Sequence, residues 1–147
     1  MSMTSKRIAI TTGGGDAPGL NAVIRSVVLA ALNRGWSCYG IRDGYSGFLN
    51  PERFPDGGLM PLERETVRGI THLGGTIIGT TNVGNPFRYP TLDLTGNYIE
   101  VDRSDEIVAA FRKHELDALI AVGGDGSMSI ADALSDKGLQ IVGVPKT

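Results

Sequence analysis

Three glycine-rich stretches hold the residues best suited to chemistry. They read TTGGGDAPG at 11–19, GGTIIGTTN at 74–82 and GGDGS at 123–127. Glycine accounts for 21 of the 147 residues, well above the usual share of about 7%. Glycine lets backbone N–H groups come close to an anion, and the start of a following helix adds a favourable dipole. The stretches therefore favour phosphate binding, with ordinary turns as the alternative.

The first stretch fits neither of two common phosphate motifs. Gly14 and Gly19 have the spacing of a Walker-type loop, but the lysine and hydroxyl residue that must follow are absent. In the dinucleotide fingerprint counted from Gly13, the third glycine falls on Pro18. A phosphate loop of another kind and a plain strand–helix turn both remain open.

The third stretch adds a carboxylate and a hydroxyl to its glycines. Asp125 stands among amides that would face a phosphate, where a bare carboxylate would repel the ligand. A Mg²⁺ ion held between carboxylate and phosphate removes that conflict, although Asp125 also suits a simple turn. Ser127 can cap a helix or contact a phosphate. The middle stretch alone favours a structural turn.

Alternating strands and helices must position these loops. Short apolar runs predict strands at 8–10, 39–41, 76–78, 118–122 and 141–144. Apolar spacing and capping residues predict helices at 20–33, 63–73, 104–114 and 127–135. The alternation indicates an α/β fold with three layers, a mostly parallel sheet with helices on both faces. Residues 43–62 and 81–103 interrupt it as long irregular segments, which are usually functional.

Composition narrows the class of protein. Lys plus Arg number 14 and Asp plus Glu 16, a net charge of -2, which argues against a nucleic-acid binder. The single Cys38 excludes an internal disulfide, and His72 and His114 lack partners at metal-ligand spacing. No apolar run approaches membrane-spanning length, and no signal peptide is evident. We therefore expect a cytoplasmic protein without membrane partners.

Taken in order, the stretches resemble the phosphofructokinase family. The matching motifs are GGDAPGLNA at 14–22, GIRDGYSG at 40–47, GGT at 74–76, GGDGS at 123–127 and VPKT at 144–147. The resemblance implies transfer of a γ-phosphoryl group from ATP, with Mg²⁺, to fructose 6-phosphate in glycolysis. It implies the phosphofructokinase-like N-terminal fold, and a full-length protein that is a homodimer or homotetramer.

The same resemblance implies roles for particular residues. Donor-binding positions would be Gly15, Gly124, Gly126 and Ser127, and Asp125 would bind the metal. Thr147 would contact the sugar phosphate. These assignments suit phosphoryl transfer, which depends on positioning and charge neutralisation.

Donor choice depends on Gly126 and Lys146. Pyrophosphate-dependent members carry aspartate at the first position, where its side chain occupies the space of an α-phosphate, so Gly126 favours ATP. Lys146 is typical of the pyrophosphate users and would stabilise the transition state. We favour ATP on steric grounds, with pyrophosphate as the alternative.

The chain departs from the family pattern at two places. Asn82 replaces an arginine that holds the donor phosphates, and Arg88 is a candidate replacement. The catalytic base is expected just after Thr147, so no catalytic base lies within the chain. We expect residues 1–147 to be a nucleotide-binding N-terminal domain, incomplete at its C-terminus and inactive alone.

Two other classes of protein remain as competitors. Lipid and NAD kinases share a GGDG loop but lack the GGDAPG loop at the start of this chain. A non-catalytic nucleotide-binding regulatory homologue would keep the loops and lose the base.

Overall fold

The computed structural model describes residues 5–15, 17–81 and 84–146. A five-stranded sheet has the order β3-β2-β1-β6-β7, and β4 and β5 form a separate hairpin. The strands are β1 (Arg7–Thr12), β2 (Ser37–Ile41), β3 (Leu59–Leu62), β4 (Tyr89–Leu92), β5 (Tyr98–Val101), β6 (Ala118–Gly123) and β7 (Ile141–Pro145). The helices are α1 (Leu20–Asn33), α2 (Ser46–Leu49), α3 (Ser104–Lys113) and α4 (Asp125–Asp136), with a 3₁₀ turn at Pro51–Arg53.

The predicted α/β fold is confirmed. Strands β2, β1, β6 and β7 run parallel, and only β3 joins the sheet antiparallel, through β2. The central strand β1 is apolar on both faces, as parallel strands covered by helices must be. None of the helices in the described ranges combines the length and apolarity needed to cross a membrane.

Two apolar clusters, one on each face of the sheet, build the core. On one face Ile24 and Val28 of α1 pack with Ile8 and Ile10 of β1. On the other face α2, α3 and α4 pack with the alternate strand residues, such as Leu119. Successive residues of a strand point to opposite faces, so a shift of one residue would move each apolar side chain to the wrong face. This alternation fixes the register of the sheet.

The chain order creates a crevice between β1 and β6. From β1 the chain continues to β2 on one side, whereas β6 pairs on the other side of β1. Ligands of open parallel sheets bind at such a switch point, beyond the carboxyl ends of the strands. The first and third glycine stretches follow β1 and β6, so both lie at this crevice.

Two predicted elements were wrong. Residues 63–73 form turns and no regular helix, because Gly69 takes the left-handed conformation with φ of 73°. Residues 76–78 form no strand, since the N–H of Ile77 donates to the Asn21 side chain instead of a sheet. The sheet edge beside β2 is filled by β3, which comes from the segment predicted to be irregular.

Helix starts differ slightly from prediction. Helix α4 begins at Asp125 and not at Ser127. Helix α3 begins at Ser104 as predicted, but Ser104 is not its cap. The carboxylate of Asp102 accepts hydrogen bonds from both the backbone N–H and the hydroxyl of Ser104, and these bonds lower the pKa of Asp102.

Asn21 ties helix α1 to the middle glycine stretch. It is 1% exposed, and its amide donates to the carbonyl oxygens of Leu73 at 3.1 Å and Gly74 at 3.3 Å. Its side-chain oxygen accepts the Ile77 N–H at 2.8 Å. One buried amide thus satisfies three backbone groups of a segment that has no regular structure.

We expect Asn21→Ala to lower the free energy of unfolding by about 2–4 kcal/mol, because it leaves buried backbone groups without partners. Denaturant unfolding of the full-length protein measures the loss. Asn33→Ala, at the exposed end of the same helix, is the control and should change stability by less than about 1 kcal/mol. Equal effects of the two substitutions would show that the buried hydrogen bonds of Asn21 do not stabilise this segment.

Candidate functional site

The ends of three strands bring the glycine stretches together. The N–H of Gly13 donates to the carbonyl oxygen of Val122 at 2.9 Å, and the N–H of Lys146 donates to that of Gly123 at 2.9 Å. From the middle stretch, the Thr80 hydroxyl donates to the carbonyl oxygen of Gly14 at 2.7 Å. The three stretches therefore meet at one edge of the sheet.

An open pocket of about 340 Å³ lies where these stretches meet. Its walls include Gly14, Gly124, Gly126 and Ser127, together with residues 84–85. The start of α4 forms one side, so backbone N–H groups and the positive end of the helix dipole face the pocket edge. The arrangement suits a ligand that carries negative charge.

Some glycines at this edge are required by the packing of the protein itself. A Cβ atom on Gly13 would overlap the Ser127 hydroxyl, and one on Gly123 would overlap the Ser127 Cβ and hydroxyl. Gly14 has φ of 78°, a conformation that favours glycine. Ser127 thus fills the space between the ends of β1 and β6, which approach so closely that only glycine fits.

The three glycines predicted to bind the donor behave differently. Among the described residues, a Cβ on Gly15 or Gly126 would meet nothing within 4 Å, and one on Gly124 would lie 3.9 Å from the carbonyl oxygen of Lys146. None of the three has positive φ. Neither contacts with the described residues nor backbone strain explains glycine at these positions. Gly124 and Gly126 line the pocket, and Gly15 directly follows Gly14, which also lines it. Glycine at such positions would allow a ligand to come close to the backbone.

Asp125 is the first residue of α4 and is exposed to solvent. Over the described ranges its carboxylate makes no hydrogen bond or ion pair, and no group of three or more His, Cys, Asp or Glu could form a metal cage. Mg²⁺ commonly takes only one or two carboxylates, with phosphate oxygens and water completing its octahedron. A single free carboxylate beside a phosphate-facing loop fits that ion.

Lys146 brings a positive charge to the first glycine stretch. Its ammonium donates to the carbonyl oxygen of Gly15 and lies 3.5 Å from where a Cβ on Gly14 would be. The side chain therefore reaches from the end of β7 across the end of β1. This position is compatible with the predicted contact to transferred phosphate.

Arg88, the candidate replacement cation, lies on the hairpin side of the site. Its guanidinium pairs with Glu100 at 2.9 Å and is 70% exposed. On this side the pocket is lined by Gly84 and Asn85, and Arg88 is not part of the lining. A donor contact from Arg88 would require the loss of this ion pair, so that role stays a prediction. Asp16, Asn82 and Thr147 lie outside the described residues.

Cys38 and His114, which we do not assign to the site, pack against other side chains of the fold. Cys38 is 3% exposed, and burial raises the pKa of its thiol to about 12, so it is not a nucleophile. The His114 ring stacks on Phe48 with centroids 5.9 Å apart. Burial, followed by the charges of Lys113 and Arg7, lowers the pKa of His114. The imidazole is therefore neutral at pH 7.

Sequence reasoning missed residues that hold the loops in place. Thr80 and Asn21 had no assigned role, yet both fix the glycine stretches. Asn21 lies on the buried stripe of α1 with Ile24 and Val28. A polar residue in such a stripe indicates a buried hydrogen bond, so this signal was present in the sequence.

Fold and loops together define an α/β domain with a glycine-lined pocket beyond the carboxyl ends of its parallel strands. The chain belongs to the phosphofructokinase family, because the family model described as "Phosphofructokinase" matches residues 7–147. The sequence-based identification of the family is thereby confirmed.

Individual relatives agree with the family. The chain is 46% identical over 144 residues to ATP-dependent 6-phosphofructokinase 1 of Nostoc sp., covering 97% of this chain and 38% of that protein. It is 39% identical to pyrophosphate–fructose 6-phosphate 1-phosphotransferase of Dictyoglomus thermophilum, covering 99% of this chain and 37% of that one. The chain therefore spans less than two fifths of the length of these relatives.

A solved structure shares the fold. The crystal structure of Pichia pastoris phosphofructokinase in the T-state superposes with a TM-score of 0.78 at 30% identity, covering 100% of this chain and 16% of that one. The similarity extends over the whole chain, so the two proteins share one domain architecture over this length.

We expect Gly13→Ala to lower the free energy of unfolding by about 1–3 kcal/mol, because the added methyl group overlaps the Ser127 side chain. Ser127→Ala removes the hydroxyl and should relieve most of that cost in the double variant. Denaturant unfolding of the four proteins in this cycle measures the coupling.

Gly15→Ala is the matched control, since its methyl group would enter open space. It should leave the free energy of unfolding within about 0.5 kcal/mol of the wild-type value. Additive effects of the Gly13 and Ser127 substitutions would contradict the steric account.

Proposed function

We propose that this chain provides the donor-binding part of an ATP-dependent 6-phosphofructokinase, which phosphorylates fructose 6-phosphate to fructose 1,6-bisphosphate in glycolysis. The observation that carries the proposal is the set of glycines at 15, 124 and 126, which lie at or next to the pocket and for which no described residue gives a packing reason. The name of the Nostoc relative supports the reaction. Residues 1–147 then correspond to the nucleotide-binding N-terminal domain.

In this proposal the donor phosphates lie across the ends of β1 and β6. Backbone N–H groups near Gly15 and Gly124 bind phosphate oxygens, and the N-terminal end of α4 adds its dipole. Ser127 keeps the two loops at a fixed separation. The site is therefore set before the donor binds, and little ordering cost remains to be met at that step.

Asp125 is the proposed ligand of Mg²⁺, which would neutralise charge on the donor phosphates. Its carboxylate has no protein partner in the described ranges and is therefore available. Without the cation, the carboxylate would repel the donor that the surrounding amides attract. Donor binding at this site would therefore require the cation.

Lys146 is proposed to stabilise the transferred phosphoryl group. In phosphoryl transfer the protein mainly positions the groups and neutralises charge on the equatorial oxygens. The ammonium at the end of β7 stands beside the first glycine stretch. Thr147, the residue proposed to contact the sugar phosphate, directly follows Lys146 in the sequence.

Pyrophosphate as the donor is the second candidate, and Lys146 favours it. The Dictyoglomus thermophilum relative is named for pyrophosphate and matches at 39% identity. Gly126 opposes it, because the open space there leaves room for a longer phosphate chain.

We place the protein in the cytoplasm as a homo-oligomer, since these are the expectations for a glycolytic phosphofructokinase.

The donor assay tests the proposal most sharply with full-length protein. Wild type should use ATP at least about tenfold better than pyrophosphate in kcat/KM. A tenfold preference corresponds to about 1.4 kcal/mol of additional transition-state stabilisation with ATP. Gly126→Asp should lose ATP activity because its carboxylate enters the open space beside the phosphates. Preference of wild type for pyrophosphate would contradict the steric argument.

Ser129→Asp is the matched control for that variant. It adds the same charge one turn later on α4, at an exposed position outside the pocket. Its ATP activity should stay within about twofold of wild type. A regulatory homologue without catalysis would show nucleotide binding but no turnover with either donor.

Asp125→Asn should lower kcat/KM with ATP by about 100-fold or more, because it removes the only proposed carboxylate ligand of the cation. The required Mg²⁺ concentration should rise as well. The free energy of unfolding should fall by no more than about 1 kcal/mol, since the carboxylate has no hydrogen-bond or ion-pair partner among the described residues and loses only its attraction to the N-terminal end of α4. Steady-state kinetics over a Mg²⁺ series, with a thermal melt, separates these effects. An unchanged Mg²⁺ dependence would show that Asp125 does not hold the cation.

A further inference from the structure

Thr12, the last residue of β1, carries a hydroxyl group in a row of apolar side chains. Because side chains alternate along a strand, Thr12 shares a face of the sheet with Ile8 and Ile10, which pack in the cluster under α1. The Thr12 side chain is fully buried, with 0% exposure. A buried hydroxyl in such a row needs hydrogen-bond partners, so the partners of Thr12 indicate what it does.

Both partners of the Thr12 hydroxyl lie in the middle glycine stretch. The hydroxyl donates to the carbonyl oxygen of Gly79 at 2.8 Å, and its oxygen lies 3.0 Å from the hydroxyl oxygen of Thr76. A hydroxyl has one hydrogen to donate. Since Thr12 uses that hydrogen on Gly79, Thr76 is the donor in the other bond. The Thr12 oxygen is thus engaged both as donor and as acceptor.

A third bond joins the same two stretches in the opposite direction. The Thr80 hydroxyl donates to the carbonyl oxygen of Gly14 at 2.7 Å. The middle stretch has neither helix nor strand within its described residues, 74–81, so no backbone ladder sets its distance from β1. Side-chain hydrogen bonds at Thr12 and Thr80, on either side of Gly13 in space, set that distance instead.

The two stretches that Thr12 joins both form walls of the 340 Å³ pocket. The first contributes Gly14 and the middle one contributes Thr81. Thr12 itself does not line this pocket. Any effect of Thr12 on a ligand there is therefore transmitted through the position of the two stretches.

We propose that Thr12 is a positioning residue for the phosphoryl donor, because its hydroxyl sets the separation of the first and middle glycine stretches. This inference rests on the donor site proposed above. Phosphoryl transfer depends on accurate placement of the phosphates, and small displacements of the groups that hold them are costly. A hydroxyl at this point of the strand holds the pocket at one width without contacting the donor.

Kinetics of full-length Thr12→Val test the proposal, since valine keeps the shape of the side chain and removes only the hydroxyl. The KM for ATP should rise about tenfold, and the KM for fructose 6-phosphate should stay within about twofold of wild type. Thr12→Ser keeps the hydroxyl and should restore most of the affinity for ATP. Thr76→Val removes one bond of the two and should raise the KM for ATP by a smaller factor, which tests the proposal even if Thr12→Val does not fold.

Val28→Ala is the control for loss of stability alone. Val28 is fully buried in the same apolar cluster and makes no hydrogen bond to the middle stretch through its side chain. This variant should lower the Tm and leave the KM for ATP within about twofold of wild type. A thermal melt of each variant places the kinetic assays below its unfolding transition.

Three results would overturn the positioning role. These are an unchanged KM for ATP in Thr12→Val, an equal rise in Thr12→Ser, and an equal rise in Val28→Ala. Preference of wild type for pyrophosphate would contradict the proposed donor but not this role, because the same comparison of variants can then be made with pyrophosphate. The wild-type assay thus tests the proposed function, and the ratio of variant to wild type tests Thr12.

Discussion

The close approach of β1 and β6 at their carboxyl ends is the constraint on which the site depends. Ser127 fills the space between them, and Gly13 and Gly123 are glycine because no other residue fits beside it. Backbone hydrogen bonds then fix the neighbouring loops to each other and to β7. The geometry of the crevice is thus set by packing inside the protein, before any ligand arrives.

This constraint separates two kinds of glycine that look alike in the sequence. Those at 13 and 123 serve the fold, whereas a Cβ at 15, 124 or 126 would come no closer than 3.9 Å to any described residue. Open space beside a glycine is informative only when the backbone conformation does not itself need glycine, as at these three positions. The phosphate-binding proposal therefore rests on glycines that folding alone leaves unexplained.

Much of the fold could be predicted from the sequence, because buried parallel strands and amphipathic helices have strong periodic patterns. The strand and helix at the first loop, β1 and α1, follow directly from such patterns. The segments 43–62 and 81–103, predicted to be irregular, contain β3 and the β4–β5 hairpin. The two wrong elements lie at residues 63–78, where the positive φ of Gly69 and the tertiary contacts of the Asn21 side chain decide the backbone path. Local propensity does not report contacts of that kind.

The candidate site was predictable only in part. Resemblance supplied the glycines proposed to bind the donor, but it did not show which glycines the packing of the protein requires. That requirement depends on atoms from distant segments meeting in space. The reach of Lys146 to the first loop also appears only in three dimensions.

The most direct test is a crystal structure of the full-length protein with Mg²⁺ and a non-hydrolysable ATP analogue. The account predicts phosphate oxygens within hydrogen-bond distance of backbone N–H groups next to Gly15 and Gly124, with the cation beside Asp125. Phosphates bound at another edge of the sheet, with this crevice filled only by solvent, would contradict it.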